Sequence, residues 1–223
     1  MDIYLIRHTE VAVGRSVAYG QSDVELADNY DEQFNRLREH LPADPRAIFS
    51  SPLTRCRRLA DDLASAGPAP VPAGNRGAPV RYRPERLAAE SEPDTARPSL
   101  QFDDRLKEFH FGDWEMVPWA DISRDALDPW MADFVNVPTP NGETFQTVFD
   151  RVGTFWHEQI LPLADHPSSQ PVFVVSHGGV IRALLCLFLD LSLQNAYRIN
   201  LNYGAVTKLT LSGSSYTIHY INR

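Results

Sequence analysis

Two histidines stand directly after short apolar runs of β type: Leu5-Ile6-Arg7-His8 and Val174-Val175-Ser176-His177. Either one alone reads as an ordinary hydrogen-bonded structural histidine. Set beside Arg7 and Arg55, the pair points to phosphoryl transfer. That reaction asks a protein mainly for positioning and for positive charge around three equatorial oxygens. Guanidiniums do this well, because each offers planar forked donors that stay protonated at any relevant pH. A neutral imidazole can attack phosphorus and be split off again by water. A second, protonated imidazole can donate to the same oxygens, and Gly178 lets backbone amides at a helix start approach an anion. The leaving oxygen needs a proton, for which Glu108, set among Phe109, Phe111 and Trp114, is the candidate acid.

These residues need elements to carry them. Asp2 to Ile6 reads as a buried strand delivering Arg7, His8, Thr9 and Glu10 to a loop at its end. Tyr30, Phe34, Leu37 and Leu41 recur at helical spacing. Ala47 to Phe49 is a short strand, after which Ser51 is expected to cap a helix starting at Pro52, with Arg55 in its first turn. Leu106 to Trp114 is an aromatic loop. Short helices near Pro118 to Asn136 are expected to break at Asp128-Pro129. Glu143 to Leu163 forms the clearest amphipathic helix, and Pro171 to Ser176 a second buried strand running into His177 and an apolar helix from Val180 to Leu189. The order of strand, loop and helix after His8 thus recurs at His177. Val206 to Leu211 and Tyr216 to Ile221 alternate around Ser212-Gly213-Ser214-Ser215 as a hairpin does, which makes the last strand the expected antiparallel one. Strands alternating with helices predict an α/β three-layer sandwich, with a mostly parallel central sheet, one antiparallel strand and helices on both faces. The whole chain, 1–223, reads as a single domain. Within it a Pro-, Ala-, Gly- and Arg-rich surface insertion at about 67–98 has only Val80 to Arg83 resembling a strand.

Composition narrows the function. At 223 residues and a net charge of −8, without a basic stripe, the chain is no nucleic-acid binder, and an anionic substrate must be held by local charge. No apolar run reaches the roughly 18 residues of a membrane span, and the N-terminus lacks a secretory pattern. Cys56 and Cys186 are far apart and no His/Cys set has zinc-ligand spacing, so neither disulfide nor metal is expected and a reducing cytoplasm is the expected home. The expected partner is a small phosphorylated metabolite; monomer and homodimer both stay open. His110, His157 and His219 read as structural or surface groups, and Cys186 as core.

Four motifs in order carry a family resemblance. Leu5-Ile6-Arg7-His8-Thr9-Glu10 resembles the R-H-G-E signature of the histidine phosphatase superfamily, also called phosphoglycerate-mutase-like. Ser51 to Arg55 resembles its S-x-L-x-R element, Glu108 to Glu115 its E-x-x-F-G-x-W-E element, and Ser176 to Gly179 its second-histidine element. The resemblance implies that His8 is the phosphorylated nucleophile, that Arg7, Arg55, His177 and Gly178 bind the phosphate, and that Glu108 is the proton donor. It also implies a reaction without metal or cofactor. Phe111 to Met116 and Pro138 to Val152 look most like the α-ribazole phosphatases, while broad-specificity phosphatases share both segments. Departures lie at Thr9, which stands for the usual glycine, and in the first loop. There Gly14 or Arg15 occupies the place of an asparagine that touches phosphate, and Asn29 to Gln33 replaces the family's glycine and Gln-Ala pair. Arg15, Gly20 and Gln21 are the expected substrate-binding residues of that loop. A mutase that returns the phosphate to its product, and a scaffold that kept the fold without turnover, remain alternatives. No extra basic cluster for a second phosphate is visible in the sequence.

Overall fold

The structure, a computed structural model, describes residues 1–66, 98–166 and 168–223. The expected insertion, Pro98 apart, and the strand-like stretch Val80 to Arg83 lie outside the described residues.

In chain order the elements are β1 (Asp2–Arg7), β2 (Val17–Ala18), α1 (Tyr30–Arg38), β3 (Ala47–Ser50), α2 (Thr54–Ser65), β4 (Ser99–Phe102), β5 (Val117–Pro118), α3 (Arg124–Ala132), α4 (Phe145–Phe155), β6 (Val172–Ser176), α5 (Gly178–Leu189), β7 (Val206–Ser212) and β8 (Ser215–Tyr220). Six strands form one sheet in the order β4-β3-β6-β1-β7-β8, and β2 pairs with β5 in a separate ribbon. β4, β3, β6 and β1 are mutually parallel, and β7 is antiparallel to β1. β8 is antiparallel to β7 and therefore points the same way as β1. The single reversed strand is thus β7, and not the last strand as the hairpin pattern suggested. The turn at Gly213-Ser214 reverses the chain a second time.

The continuous apolar runs of β1 and β6 are explained by burial on both faces. Alternation divides their side chains: Ile3, Leu5, Val172 and Val174 face the layer of α4 and α5, while Tyr4, Ile6, Phe173 and Val175 face that of α1 and α2. Fully burying each such side chain contributes about 1.5–3 kcal/mol, so β1 and β6 form the rigid centre from which the site loops emerge.

Three local expectations are corrected. α2 begins at Thr54, with Leu53 at its N-cap. Ser51 instead turns its hydroxyl toward His177 and accepts from the Leu53 N–H at 3.3 Å. Pro129 lies inside α3 without breaking it; the missing donor is offset by burial of the next residue, Trp130, among Phe109, Trp114 and Trp119. The long amphipathic stretch is α-helical only to Phe155 and continues through a π turn at Trp156–Ile160. Its start is capped by the Thr144 hydroxyl, which accepts from the Thr147 N–H at 3.0 Å.

Candidate active site

β1 and β6 are neighbours with Arg7 opposite Ser176, so the residues following them leave the sheet side by side at its carboxyl edge. The His8 N–H donates to the Ser176 carbonyl at 3.0 Å. The two imidazoles meet edge to face, with ring centres 5.1 Å apart. Arg55 reaches the same point from the first turn of α2: its Nε donates to His177 Nδ1 at 3.3 Å, and its Nη atoms donate to the Ser22 and Gly20 carbonyls at 2.9 and 2.5 Å. Arg7, at the end of β1, donates through Nη1 to the Leu201 carbonyl at 2.6 Å, while its buried Nε has no partner.

The state of His8 follows from its bonds. Nδ1 lies 2.7 Å from the Thr9 carbonyl, which can only accept, so Nδ1 carries the proton and Nε2 carries the lone pair. Nε2 is buried and has no partner. Burial, followed by the Arg55 and Arg7 guanidiniums, holds the imidazole well below its ordinary range and hence neutral. Thr9 keeps a negative φ, so its side chain costs no left-handed strain where relatives carry glycine.

His177 sits in the same surroundings. Burial, Arg55, His8 and Arg7 hold it well below the ordinary imidazole range too. With Nδ1 accepting from Arg55, its Nε2–H donates to Ser51 Oγ at 2.8 Å. Burial first, and then the guanidiniums beside it, thus favour the neutral form of the second imidazole.

Glu108 comes to the same place by a route that spacing could not show. Its carboxylate accepts from the Gly179 N–H at 3.1 and 3.2 Å and from the Phe109 N–H at 3.0 Å. A Cβ on Gly179 would collide with Glu108 Oε1, and one on Gly178 would lie 2.9 Å from Arg182 Nη1 and 3.3 Å from Arg7 Cζ. Both glycines are thus required by close approach. The Glu108 carbonyl is gripped by Gln21 Nε2 and Arg151 Nη2, each at 2.9 Å, and Arg151 is paired with Glu143. Gln21 accordingly holds the Glu108 loop.

The cavity has a volume of about 550 Å³ and is lined by Arg7, Arg15, Gly20, Glu108, Gly178 and Gly179 on its polar side and by Phe111, Trp119 and Trp130 on its aromatic side. Sequence reasoning missed four features. Tyr19 and Tyr203 line the cavity, with Tyr203 against His8 and Tyr19 against Arg55. Arg124 and Arg182 line the wall together with Arg15, which supplies the basic cluster that the sequence did not reveal. Glu115 organises the first loop by accepting from the backbone of Gln21, Ser22 and Phe111. Arg151 and Glu143 steady Glu108. The two glutamates lie within the quoted motifs, whose spacing carries no sign of such positioning roles.

A mostly parallel sheet flanked by helices, with two histidines at adjacent strand ends, is the architecture of the phosphoglycerate-mutase-like class. Residues 3–74 and 86–223 match the model of the histidine phosphatase superfamily (branch 1), and the chain belongs to that family. By class it is a phosphatase, hydrolysing phosphoric monoesters. It is 28% identical to an adenosylcobalamin/alpha-ribazole phosphatase of Salmonella typhimurium, over 100% of this chain and 96% of that one. It is 30% identical to a glucosyl-3-phosphoglycerate phosphatase of Mycolicibacterium vanbaalenii, over 86% and 76%. The crystal structure of the alpha-ribazole phosphatase from Shigella flexneri superposes with a TM-score of 0.75 over 100% of this chain and 96% of that one; at 21% identity it speaks for the fold.

Proposed function

We propose that this phosphatase works through a phosphohistidine on His8. Nε2 attacks the phosphorus of a small phosphate monoester and the ester P–O bond breaks. The departing alkoxide takes a proton from Glu108. Water, giving its proton back to Glu108, then cleaves the P–N bond and releases inorganic phosphate. Arg7 and Arg55 balance the charge of the transferring group, and the dianion that enters between the imidazoles favours a protonated His177. The observation that carries this reading is the buried, unpartnered lone pair of His8 Nε2 beside two guanidiniums. Phosphate release from p-nitrophenyl phosphate by EDTA-treated protein between pH 5 and 8 tests it, and absence of release over that range defeats it.

For the substrate, the aromatic wall supports α-ribazole 5′-phosphate, whose alcohol carries a flat heteroaromatic base. Trp119 and Trp130 lie nearly parallel with centres 6.0 Å apart, and Phe111 stands edge-on to Trp119 at 5.2 Å. Arg15, Arg124 and Arg182 on the same cavity support a second reading, a phosphate ester with another anionic group on its alcohol. Comparing kcat/KM for α-ribazole phosphate, phosphoserine and 3-phosphoglycerate separates the two. Conversion of 3-phosphoglycerate to an isomeric phosphoglycerate, in place of release of phosphate, would mark a mutase.

A further inference from the structure

His8, His177 and Arg55 are all fully buried, and none of them lines the cavity that holds Glu108 and Arg7. A pair of tyrosines adjoins both the buried residues and the cavity. The Tyr203 ring lies 5.5 Å from that of His8 and directly beneath the Arg7 guanidinium, at 4.1 Å. The Tyr19 ring lies 5.0 Å from the Arg55 guanidinium. Both rings line the cavity, and their hydroxyls meet at 2.9 Å. The pair therefore joins the cavity wall to the surroundings of His8, whose Nε2 is buried and has no partner.

Resting on the phosphohistidine reading, we propose that Tyr19 and Tyr203 form a hydrogen-bonded bar across the phosphoryl pocket that opens when an anion enters and then donates both hydroxyls to its oxygens. His8 is fully buried with the Tyr203 ring against it, so a phosphoryl group coming from the cavity reaches Nε2 only after the side chains around it move, and the contact between Tyr19 and Tyr203 is the hydrogen bond that joins the cavity wall to that ring. Parting the two hydroxyls costs one neutral hydrogen bond. Two charge-assisted bonds to a dianion more than replace it, being roughly twice as strong each. Each ring already packs against one of the guanidiniums that bind the same dianion, so a small rotation carries the hydroxyl toward it. Burial and the neighbouring Tyr203 push the Tyr19 phenol up, which keeps it a proton donor throughout the neutral range. The pair also accounts for a departure in the first loop. No asparagine stands where relatives place a phosphate contact, and Arg15, near that position, stacks over Tyr203 at 5.1 Å from the ring centre.

The test uses Tyr19→Phe and Tyr203→Phe, which keep the rings and delete one hydroxyl each. Modification of His8 by diethyl pyrocarbonate is followed by mass spectrometry with and without inorganic phosphate, and exposed His219 serves as the internal reference. With the bar broken, His8 in either variant should react about fivefold faster than in wild type, the equivalent of one neutral hydrogen bond. Protection by phosphate should require about tenfold more of it, the equivalent of one bond to a charged group. Faster modification together with weaker protection, at an unchanged urea-unfolding midpoint, supports the proposal; a lowered midpoint, with faster modification due to general loosening of the fold, counts against it. Wild-type protection in either variant overturns it, and so does an unchanged His8 rate. Phosphate protection does not depend on turnover. A wild type that neither hydrolyses esters nor is protected by phosphate defeats the phosphohistidine reading itself, whereas a hydrolysing, protected wild type with indistinguishable variants defeats only the tyrosine bar.

Discussion

The Glu108 carboxylate is fastened to the Gly179 N–H, in the first turn of α5, with N···O distances of 3.1 and 3.2 Å. The candidate acid thus takes its position from the helix that begins at the second histidine, as well as from its own loop. Any side chain at Gly179 occupies the space of Oε1. For Gly179→Ala we expect kcat for an alkyl phosphate to fall by about 10²-fold, the lower end of a general-acid contribution, with a far smaller fall for p-nitrophenyl phosphate. Steady-state kinetics on the two esters checks this; equal losses would separate Gly179 from the acid.

Glu108→Gln keeps the shape and the amide contacts but removes the transferable proton. Turnover should slow by about 10²–10⁴-fold on poor leaving groups and should depend more steeply on leaving-group pKa than in wild type. A loss independent of leaving group, read from a series of aryl phosphates, would count against the assignment.

His8→Ala should abolish the acid-labile phosphoenzyme seen by rapid quench and intact-mass measurement after brief exposure to substrate. Activity should fall by on the order of 10⁴-fold or more, as when a covalent nucleophile is removed. A phosphorylated His8→Ala protein would place the nucleophile elsewhere.

Both imidazoles are held neutral by burial and by Arg55, which fixes the sign of two pH effects. In the phosphohistidine reading the active form of His8 is the neutral one, so the acid limb of kcat/KM that it sets should lie well below pH 6.5. In stability the unfolded chain takes up protons below 6.5 while the folded sites do not, so stability should decline as pH falls from 6.5, by up to about 1.4 kcal/mol per pH unit for each histidine. Urea unfolding at pH 6.5 and 5.5 measures this, and His8→Gln should show a shallower decline than wild type.

Arg182 donates to the Ile199 carbonyl at 3.0 Å, stacks on Tyr197 and has no carboxylate partner among the described residues. If the alcohol portion of the substrate carries a second anion, Arg182→Gln should raise KM for that ester by about tenfold, the loss of one charge-assisted hydrogen bond, and leave p-nitrophenyl phosphate nearly unaffected. An equal change on both esters would assign Arg182 to the phosphate itself, and no change on either would remove it from substrate binding.

Much of this protein was legible in its residues because the informative signals are local. β1 and β6 announce themselves as unbroken apolar runs, since a strand covered on both faces has no polar alternation to hide it. Arg7, His8 and His177 follow immediately and are placed by the strands that precede them. Arg55 was placed by its position one residue into α2, even though Ser51 turned out to serve His177 and not the helix cap.

What the residues alone determined was the kind of chemistry, for a histidine at each of two strand ends and an arginine at a helix start are written in order along the chain. Only the tertiary structure decided the proton on His8 Nδ1, the surroundings that favour a neutral His177, the anchoring of Glu108 on Gly179, the hydroxyl contact of Tyr19 with Tyr203, and the arginines on the cavity wall. Each of these is a contact between segments that are mostly tens of residues apart or more, or a consequence of burial among them. Neither spacing nor composition encodes such contacts; they exist once the sheet order brings β1 and β6 together and water is excluded from the crevice between them.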